Sequence, residues 1–386
     1  MKNLSRRKFL IASAATLAAA ASPAFGTPAG FGPPPQFPPP RHRRVFVGSG
    51  ANGILAYDWD SVTAQLTPGG AAAKLAKVDW IAHSPGLKYL YAASEADSFN
   101  GKPTGEVASF VIEGGELRPL SAQNSAGAGT CHIALDYTGR VLLSADYGGG
   151  SAASFVVTEG KLGPAVWSEH YTAHGPNAVR QQSAHAHFAS FSPDNRFAYI
   201  NDLGGDAIHI YSLNAWTAEM TAAGSYRAKP GAGPRTLRFH PNRHTAYSVN
   251  ELDSTVDVLE WNRADGGLTL VKRIDLLPEG YLGPTRACDT VVTHNGKFVY
   301  FANRDKDFLY SFQADAQTGS LTPIGRTSCG GKTPRNLVLD PTEHWMLVAN
   351  QDSNRISVFA HNPETGALAG EGKSFAAAAP MCILFI

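Results

Sequence analysis

The chain has 386 residues, 43% of them hydrophobic, with 39 glycines and 25 prolines, a composition that supports a large core built from many short strands and turns. Its 33 basic and 32 acidic residues nearly cancel, so there is no electrostatic case for a nucleic-acid partner. Four cysteines (Cys131, Cys288, Cys329, Cys382) are too few and too widely spaced for a disulfide framework, and they match no zinc pattern.

The chain opens on MKNLSRRKFL, in which Ser5-Arg6-Arg7-Lys8-Phe9-Leu10 is a twin-arginine signature. A weakly apolar run, IASAATLAAAA, follows and leads to Ala24-Phe25-Gly26, a small-x-small cleavage site. Residues 1–26 are therefore expected to be a twin-arginine signal peptide. The expected location is periplasmic or otherwise exported, with the export machinery as a partner of the precursor. The run is too short and too rich in alanine for a membrane span. Residues 27–43, beginning TPAGFGPPPQFPPP, read as a proline-rich linker. Removing residues 1–26 takes Lys2, Arg6, Arg7 and Lys8 and no acid, which leaves 29 basic against 32 acidic residues, a net charge near −3.

From residue 44 one pattern recurs seven times. An alternating apolar run leads into a turn of Pro, Asp, Asn or Gly, then a second run rich in Tyr, Leu and Val ends on a polar residue. The copies are PPRHRRVFVGSG, SPGLKYLYAASE, DYTGRVLLSADY, SPDNRFAYINDL, HPNRHTAYSVNE, THNGKFVYFANR and DPTEHWMLVANQ. With Pro40, Pro85, Tyr137, Pro193, Pro241, His294 and Pro341 as anchors, the intervals are 45, 52, 56, 48, 53 and 47 residues. A third run with period-2 alternation follows each copy (GILAYDWD, GEVASFVIE, GSAASFVVTE, DAIHIYSLN, STVDVLEWN, DFLYSFQAD, NRISVFAHN), and a weaker fourth follows most. Four short strands per unit, repeated seven times with no 3.6-residue periodicity, predict an all-β, seven-bladed β-propeller over residues 44–386. The first copy has no strand before it, and the chain ends on a surplus one, PMCILFI. The C-terminal strand is expected to complete the first blade and close the ring.

In a propeller blade the start of the first strand and the end of the second share one face. Two rings of residues can therefore be read at one channel mouth. Six residues before the anchors stand Asp79, Cys131, His187, Arg235, Cys288 and Arg335. Ten residues after them stand Gly50, Glu95, Tyr147, Leu203, Glu251, Arg304 and Gln351. One position earlier the residues are uniformly Ser, Asp or Asn, as turn caps would be (Ser49, Ser94, Asp146, Asp202, Asn250, Asn303, Asn350). That uniform ring is assigned to structure and the two varied rings to function. They place His187, Arg235, Glu251, Arg304 and Arg335 together, with His132 and His185 close by. Such a set favours an anionic or oxyanion-forming ligand. His187 and Glu251 are both possible proton carriers. The competing reading has the arginines pairing with Glu251, Glu95, Asp79 and Asp289 to hold blades together. His185 and His187 lack a third ligand at metal spacing, and Cys131 lacks a sequence-evident base. No nucleophile elbow, Walker loop or dinucleotide fingerprint is present.

The stretches GAGTCHIALD, SAHAHFASFSPDNRFAYINDLG, GAGPRTLRFHPN, AYSVNELDSTVDV, LPEGYLG, FANRD, GGKTPRNLVLDPT, LVANQDSN and PMCILF carry a family likeness. The chain resembles the lactonase family of seven-bladed propellers, the 6-phosphogluconolactonase-like enzymes to which the carboxy-muconate lactonizing enzyme is related. The resemblance implies opening or forming a lactone ring with no metal and no cofactor. It implies a catalytic set of His187 in AHAH, Arg235 in GPR, Glu251 in VNE and Arg304 in ANR. His132, His185, Arg335, Gln351 and Tyr147 are expected to bind substrate. The chain departs from the family at Thr236, where histidine commonly follows GPR, and in THNG of the sixth repeat. The export signal points to a sugar or organic-acid lactone met outside the cytoplasm by a monomeric hydrolase. The alternative is a non-catalytic periplasmic propeller that binds an anionic ligand or a protein partner.

Overall fold

A computed structural model describes residues 41–386 except 279, 282, 370 and 371. The twin-arginine segment and most of the proline-rich linker lie outside the described residues. The first strand begins at His42, just inside the stretch that composition assigns to the linker.

Seven four-stranded antiparallel sheets are arranged as the blades of a propeller. In blade one the C-terminal strand Pro380–Phe385 is innermost and pairs with His42–Ser49, so the two ends of the described chain close the ring as the repeats predict. The innermost strands of blades two to seven are Val78–His83, Thr130–Leu135, Ala186–Phe191, Pro234–Phe239, Ala287–Val292 and Pro334–Leu339. Every blade has the fourth strand that the sequence marks only weakly. These outer strands expose most of their residues, so they carry little apolar alternation; Leu321–Ser328 is an example.

The core lies between blades. Val45, Tyr57 and Trp59 of blade one pack on Leu347, Ile356 and Val358 of blade seven, and each neighbouring pair repeats this contact. A hydroxyl latch adds to the packing. Tyr199, Tyr247 and Tyr300 each donate to a glycine carbonyl in the outer turn of the next blade, Gly266, Gly319 and Gly366, at 2.7–2.9 Å. Those glycines have φ of 66–78°, and a Cβ on any of them would lie within 2.7 Å of a neighbouring side chain. Only glycine suits that turn.

The uniform Ser/Asp/Asn ring is buried throughout and ties down the loops of one face. Ser49, Asp202 and Asn303 accept backbone N–H groups of the turns that follow them. Ser94 and Asn350 donate to carbonyls of the incoming links, Ala76 and Cys329. Their role is structural, as their uniformity suggests.

Candidate active site

The mouth is built by a repeated irregularity. In each blade the register between the two innermost strands slips by one residue near that face. The residues left without a partner are Met381, Asp79, Cys131, His187, Arg235, the Cys288–Asp289 pair and Arg335. A β-bulge re-aims the side chain it carries, and here it turns a ring of them into the channel. Asp79, Cys131, His187, Arg235, Arg335 and Met381 line one cavity at the channel axis. Met381 is the blade-one member of this ring. It escaped the count from the anchors because its strand comes from the far end of the chain.

Glu251 is the centre of the site. It follows the strand Thr245–Asn250, is fully buried, and collects three guanidinium groups. Arg180 Nη2 donates to Oε1 at 2.7 Å. Arg235 Nε lies 2.9 Å and Arg304 Nη2 2.6 Å from Oε2. Neither of the latter contacts is aligned as a hydrogen bond. Arg235 Nε, Arg304 Nε and Nη2, and Glu251 Oε2 are therefore buried without an aligned hydrogen-bond partner among the described residues. Arg235 also donates through Nη1 to the Cys288 carbonyl at 2.5 Å, which fixes its fork. His187 Nε2 stands 3.8 Å from Glu251 Oε2, and its Nδ1 stands 3.8 Å from Cys131 Sγ.

Burial alone would raise the pKa of Glu251, but Arg304 and Arg235, with His187 and Arg180, outweigh it and hold the carboxyl well below its usual range. His187 shifts in the same direction, but for a base that favours the neutral form. Burial, then the charge of Arg235, keeps its pKa well below the usual histidine value although Glu251 opposes the shift. At neutral pH the site therefore holds a neutral imidazole beside an ionised carboxylate. Burial likewise drives the Cys131 thiol well above its ordinary range, so it is no ready nucleophile.

The remaining expected residues surround this centre. Tyr147 stacks on His185 with ring centroids 4.3 Å apart and meets His187 edge-on at 5.4 Å. His185 Nδ1 bonds the Tyr147 carbonyl at 2.8 Å, so that ring is pinned. His132 lies one residue past its bulge, deeper in the channel wall. It sits between Trp80 and Phe188, at centroid distances of 4.4 and 3.8 Å, and accepts the Ala189 N–H through Nδ1. Arg335 is paired with Asp79 at 2.5 Å, on the side of the ring away from Glu251. Gln351 opens a short 3-10 turn after blade seven's second strand; its backbone N–H bonds Thr333, and its side chain has no hydrogen bond among the described residues. Opposite the centre, burial and then Asp79 push Glu95 up to about 7. The competing idea of arginine–acid pairs between blades describes Arg335–Asp79 well. It also fits the cross-blade contacts of Glu251 with Arg304 and Arg180, though there three cations converge on one anion.

Arg180 was not found by counting repeats, because it lies in the link 171–185 between blades three and four, outside the strand register. The longest repeat interval, 56 residues from Tyr137 to Pro193, marks that insertion.

A seven-bladed propeller with a buried His–Arg–Glu–Arg set at one mouth is a frame for binding and polarising an ester-like oxygen. The chain belongs to the family described as lactonase, 7-bladed β-propeller, which matches residues 44–385. It is 31% identical over 344 residues to a 6-phosphogluconolactonase of Bacillus subtilis, covering 88% of this chain and 96% of the relative. A 6-phosphogluconolactonase of Formosa agariphila is 32% identical over 345 residues, covering 84% and 94%. Among solved structures, the periplasmic gluconolactonase of Pseudomonas aeruginosa superposes with a TM-score of 0.84 at 27% identity, covering 89% of this chain and 99% of that one.

Proposed function

We propose that the protein is an exported lactone hydrolase that opens a sugar or organic-acid lactone, with His187 as the base. The observation that carries this reading is the division of charge between His187 and Glu251. Glu251 is surrounded by three guanidinium groups and is a poor proton acceptor, whereas His187 is neutral and can take a proton. The substrate carbonyl oxygen accepts from Arg235, which lines the channel cavity, and from Arg304 beside it at Glu251. A water attacks the carbonyl carbon as His187 Nε2 takes its proton. The negative charge that appears on the carbonyl oxygen is held by the two arginines, a contribution of about 3–4 kcal/mol for a donor of this kind. The carbonyl re-forms, the ring C–O bond breaks, and His187 returns its proton to the leaving alkoxide, giving a hydroxy acid. Glu251, near Nε2, stabilises the transient imidazolium. Tyr147 and His185 form a flat wall suited to a sugar ring.

Export is supported by the Ser5–Leu10 signature and by the likeness to a periplasmic gluconolactonase. All the named groups come from one chain, which supports action as a monomer. The test is acid release from glucono-1,5-lactone, 6-phosphogluconolactone and glucaro-1,4-lactone, followed by pH indicator with and without chelator. Release above the uncatalysed rate, insensitive to chelator and reduced about 100-fold or more in H187N, is the expected result. Because the His187 pKa is lowered, the acid limb of kcat/KM should fall below the ordinary histidine value of about 6.5. Wild-type rates in H187N, or no release from any lactone, would refute the reading.

A further inference from the structure

Positive charge at the mouth is unevenly shared. Arg335 has Asp79 to itself, and Arg286 holds Asp305 through Nε and Nη2 at 2.5–3.0 Å. The blade-two acids Asp79 and Glu95 answer to Arg335 and Lys77. Arg180, Arg235 and Arg304 instead converge on Glu251, beside a neutral His187. Three cations against one anion leave a local surplus of two positive charges. Ring opening generates one negative charge, and Arg235 and Arg304, which meet at Glu251 Oε2 beside His187 Nε2, are placed to receive it. One cation has no counterpart in that reaction.

Arg180 is the cation placed outermost. Its side chain is 31% exposed, against 7% for Arg235 and Arg304. Both of its bonds, to Glu251 and to the Tyr147 hydroxyl at 3.0 Å, leave from Nη2, and no described residue accepts from Nε or Nη1. The backbone that presents it is held firmly. Asn177 Oδ1 accepts the N–H groups of Val179 and Arg180. The buried Gln181 donates to the Leu203 carbonyl and to Asp206. A guanidinium with two free edges of its fork, fixed at the rim of an anion-loving pocket, is a site for a phosphate or carboxylate group.

We propose that Arg180 is the specificity-determining residue of this site and binds an anionic substituent that the lactone carries away from its reacting ester. The proposal rests on the lactonase reading and narrows it to charged lactones. Arg180 acts on binding, so its loss raises KM for charged substrates and leaves the chemistry to His187, Arg235 and Arg304.

The experiment compares wild type, R180Q and R180K on 6-phosphogluconolactone, glucaro-1,4-lactone and the uncharged glucono-1,5-lactone. In R180Q, kcat/KM should fall about 10- to 100-fold on a charged lactone, chiefly through KM, the loss typical of one charge-assisted contact. The uncharged lactone should lose a much smaller factor, the share that comes from the lost Arg180–Glu251 contact, and R180K should recover part of the charged-substrate loss. A fall confined to the first substrate identifies phosphate, and one confined to the second identifies carboxylate. An equal fall on all three would overturn the proposal, since Arg180 would then only support Glu251; so would no fall on any. Calorimetric titration of the same proteins with 6-phosphogluconate, glucarate and gluconate separates the two readings. If wild type opens no lactone, the hydrolase reading fails, yet a preference for 6-phosphogluconate or glucarate over gluconate that R180Q erases still supports charge selection. Equal affinities for all three in wild type would overturn it.

Discussion

Replacing Glu251 by glutamine keeps the shape of the side chain and removes its charge. Arg235 and Arg304 are then left facing each other, 6% and 7% exposed, with an amide between them whose NH2 is itself a donor. Removing one partner of a buried ion pair costs about 3–5 kcal/mol. At an unfolding entropy of about 2.1 cal/mol/K per residue over the ~345 residues of the propeller, each kcal/mol shifts Tm by about 1.4 °C. E251Q should therefore melt about 4–7 °C below wild type at pH 7, by calorimetry or circular dichroism. The pH dependence identifies the cause. The Glu251 pKa is depressed in the folded state, so its contribution is present above the unfolded carboxyl value of about 4.5 and is lost as pH falls through the folded value. The Tm gap between the two proteins should hold from about pH 8 to pH 5 and narrow only in stronger acid. Lactonase activity should fall as well, because the imidazolium of His187 loses its neighbour. A variant that melts with wild type at pH 7 would show that the carboxylate does not hold the guanidinium cluster. A gap that stays constant into strong acid would show that charge is not the reason.

Two further changes test the frame. Deleting residues 380–386 removes the innermost strand of blade one, together with the buried Met381, Cys382 and Ile383. At about 1.5–3 kcal/mol per buried apolar side chain, the loss reaches the whole stability of about 5–15 kcal/mol of a typical protein and exposes the edge of His42–Ser49. The truncated chain should be insoluble or unfolded, and a soluble product with a native melting transition would refute the closure argument. Asp146 offers the opposite case. Burial outweighs its bonds from Thr130, Ser151 and Gly127 and raises its carboxyl to about 6. A folded pKa above the unfolded one means a contribution that is full below the unfolded value and lost as pH rises through about 6. Asp146→Asn, the residue used at the matching positions 250, 303 and 350, should stabilise the protein by about 1–3 kcal/mol at pH 8 and by little at pH 4. Destabilisation at pH 8, measured by urea unfolding, would show that the three accepted bonds need the charge.

The repeats made the propeller legible, with its blade count and its closure, because each blade must bury the same faces against its neighbours. The capping ring was legible for the same reason: Ser, Asp and Asn recur where a turn must be tied. The positions of His187, Arg235, Glu251 and Arg304 followed from counting along that register. What counting could not supply was the bulge, since a slip between two strands leaves no mark in either one. Nor could it reach Arg180, which lies in a link that belongs to no repeat. The roles of His187 and Glu251 stayed interchangeable in the sequence, because they depend on how many guanidinium groups reach one carboxylate.

The bulge also explains how a sevenfold frame can hold a site with no symmetry. A residue paired in the ladder must fit the blade beside it, and its identity is constrained in every copy. A residue at the bulge is released from that pairing and points into the channel. The seven copies can therefore differ freely there: Met381, Asp79, Cys131, His187, Arg235, Cys288 and Arg335 occupy equivalent positions and share no chemistry. The Ser/Asp/Asn ring, one step from Glu251 and Arg304, varies little because its members tie neighbouring turns, links or strand starts. The proposed chemistry collects on blades four to six, where a bulge histidine, a bulge arginine and two residues at strand ends meet. On blades two and seven the same positions hold Asp79 and Arg335, which satisfy each other. If this division is correct, exchanging the Asp79–Arg335 pair for a neutral pair of similar size should lower stability and move the acid limb of kcat/KM only slightly upward, because burial and Arg235 outweigh Arg335 in lowering the His187 pKa. A shift all the way to the ordinary histidine value would mean that the far side of the ring sets the base.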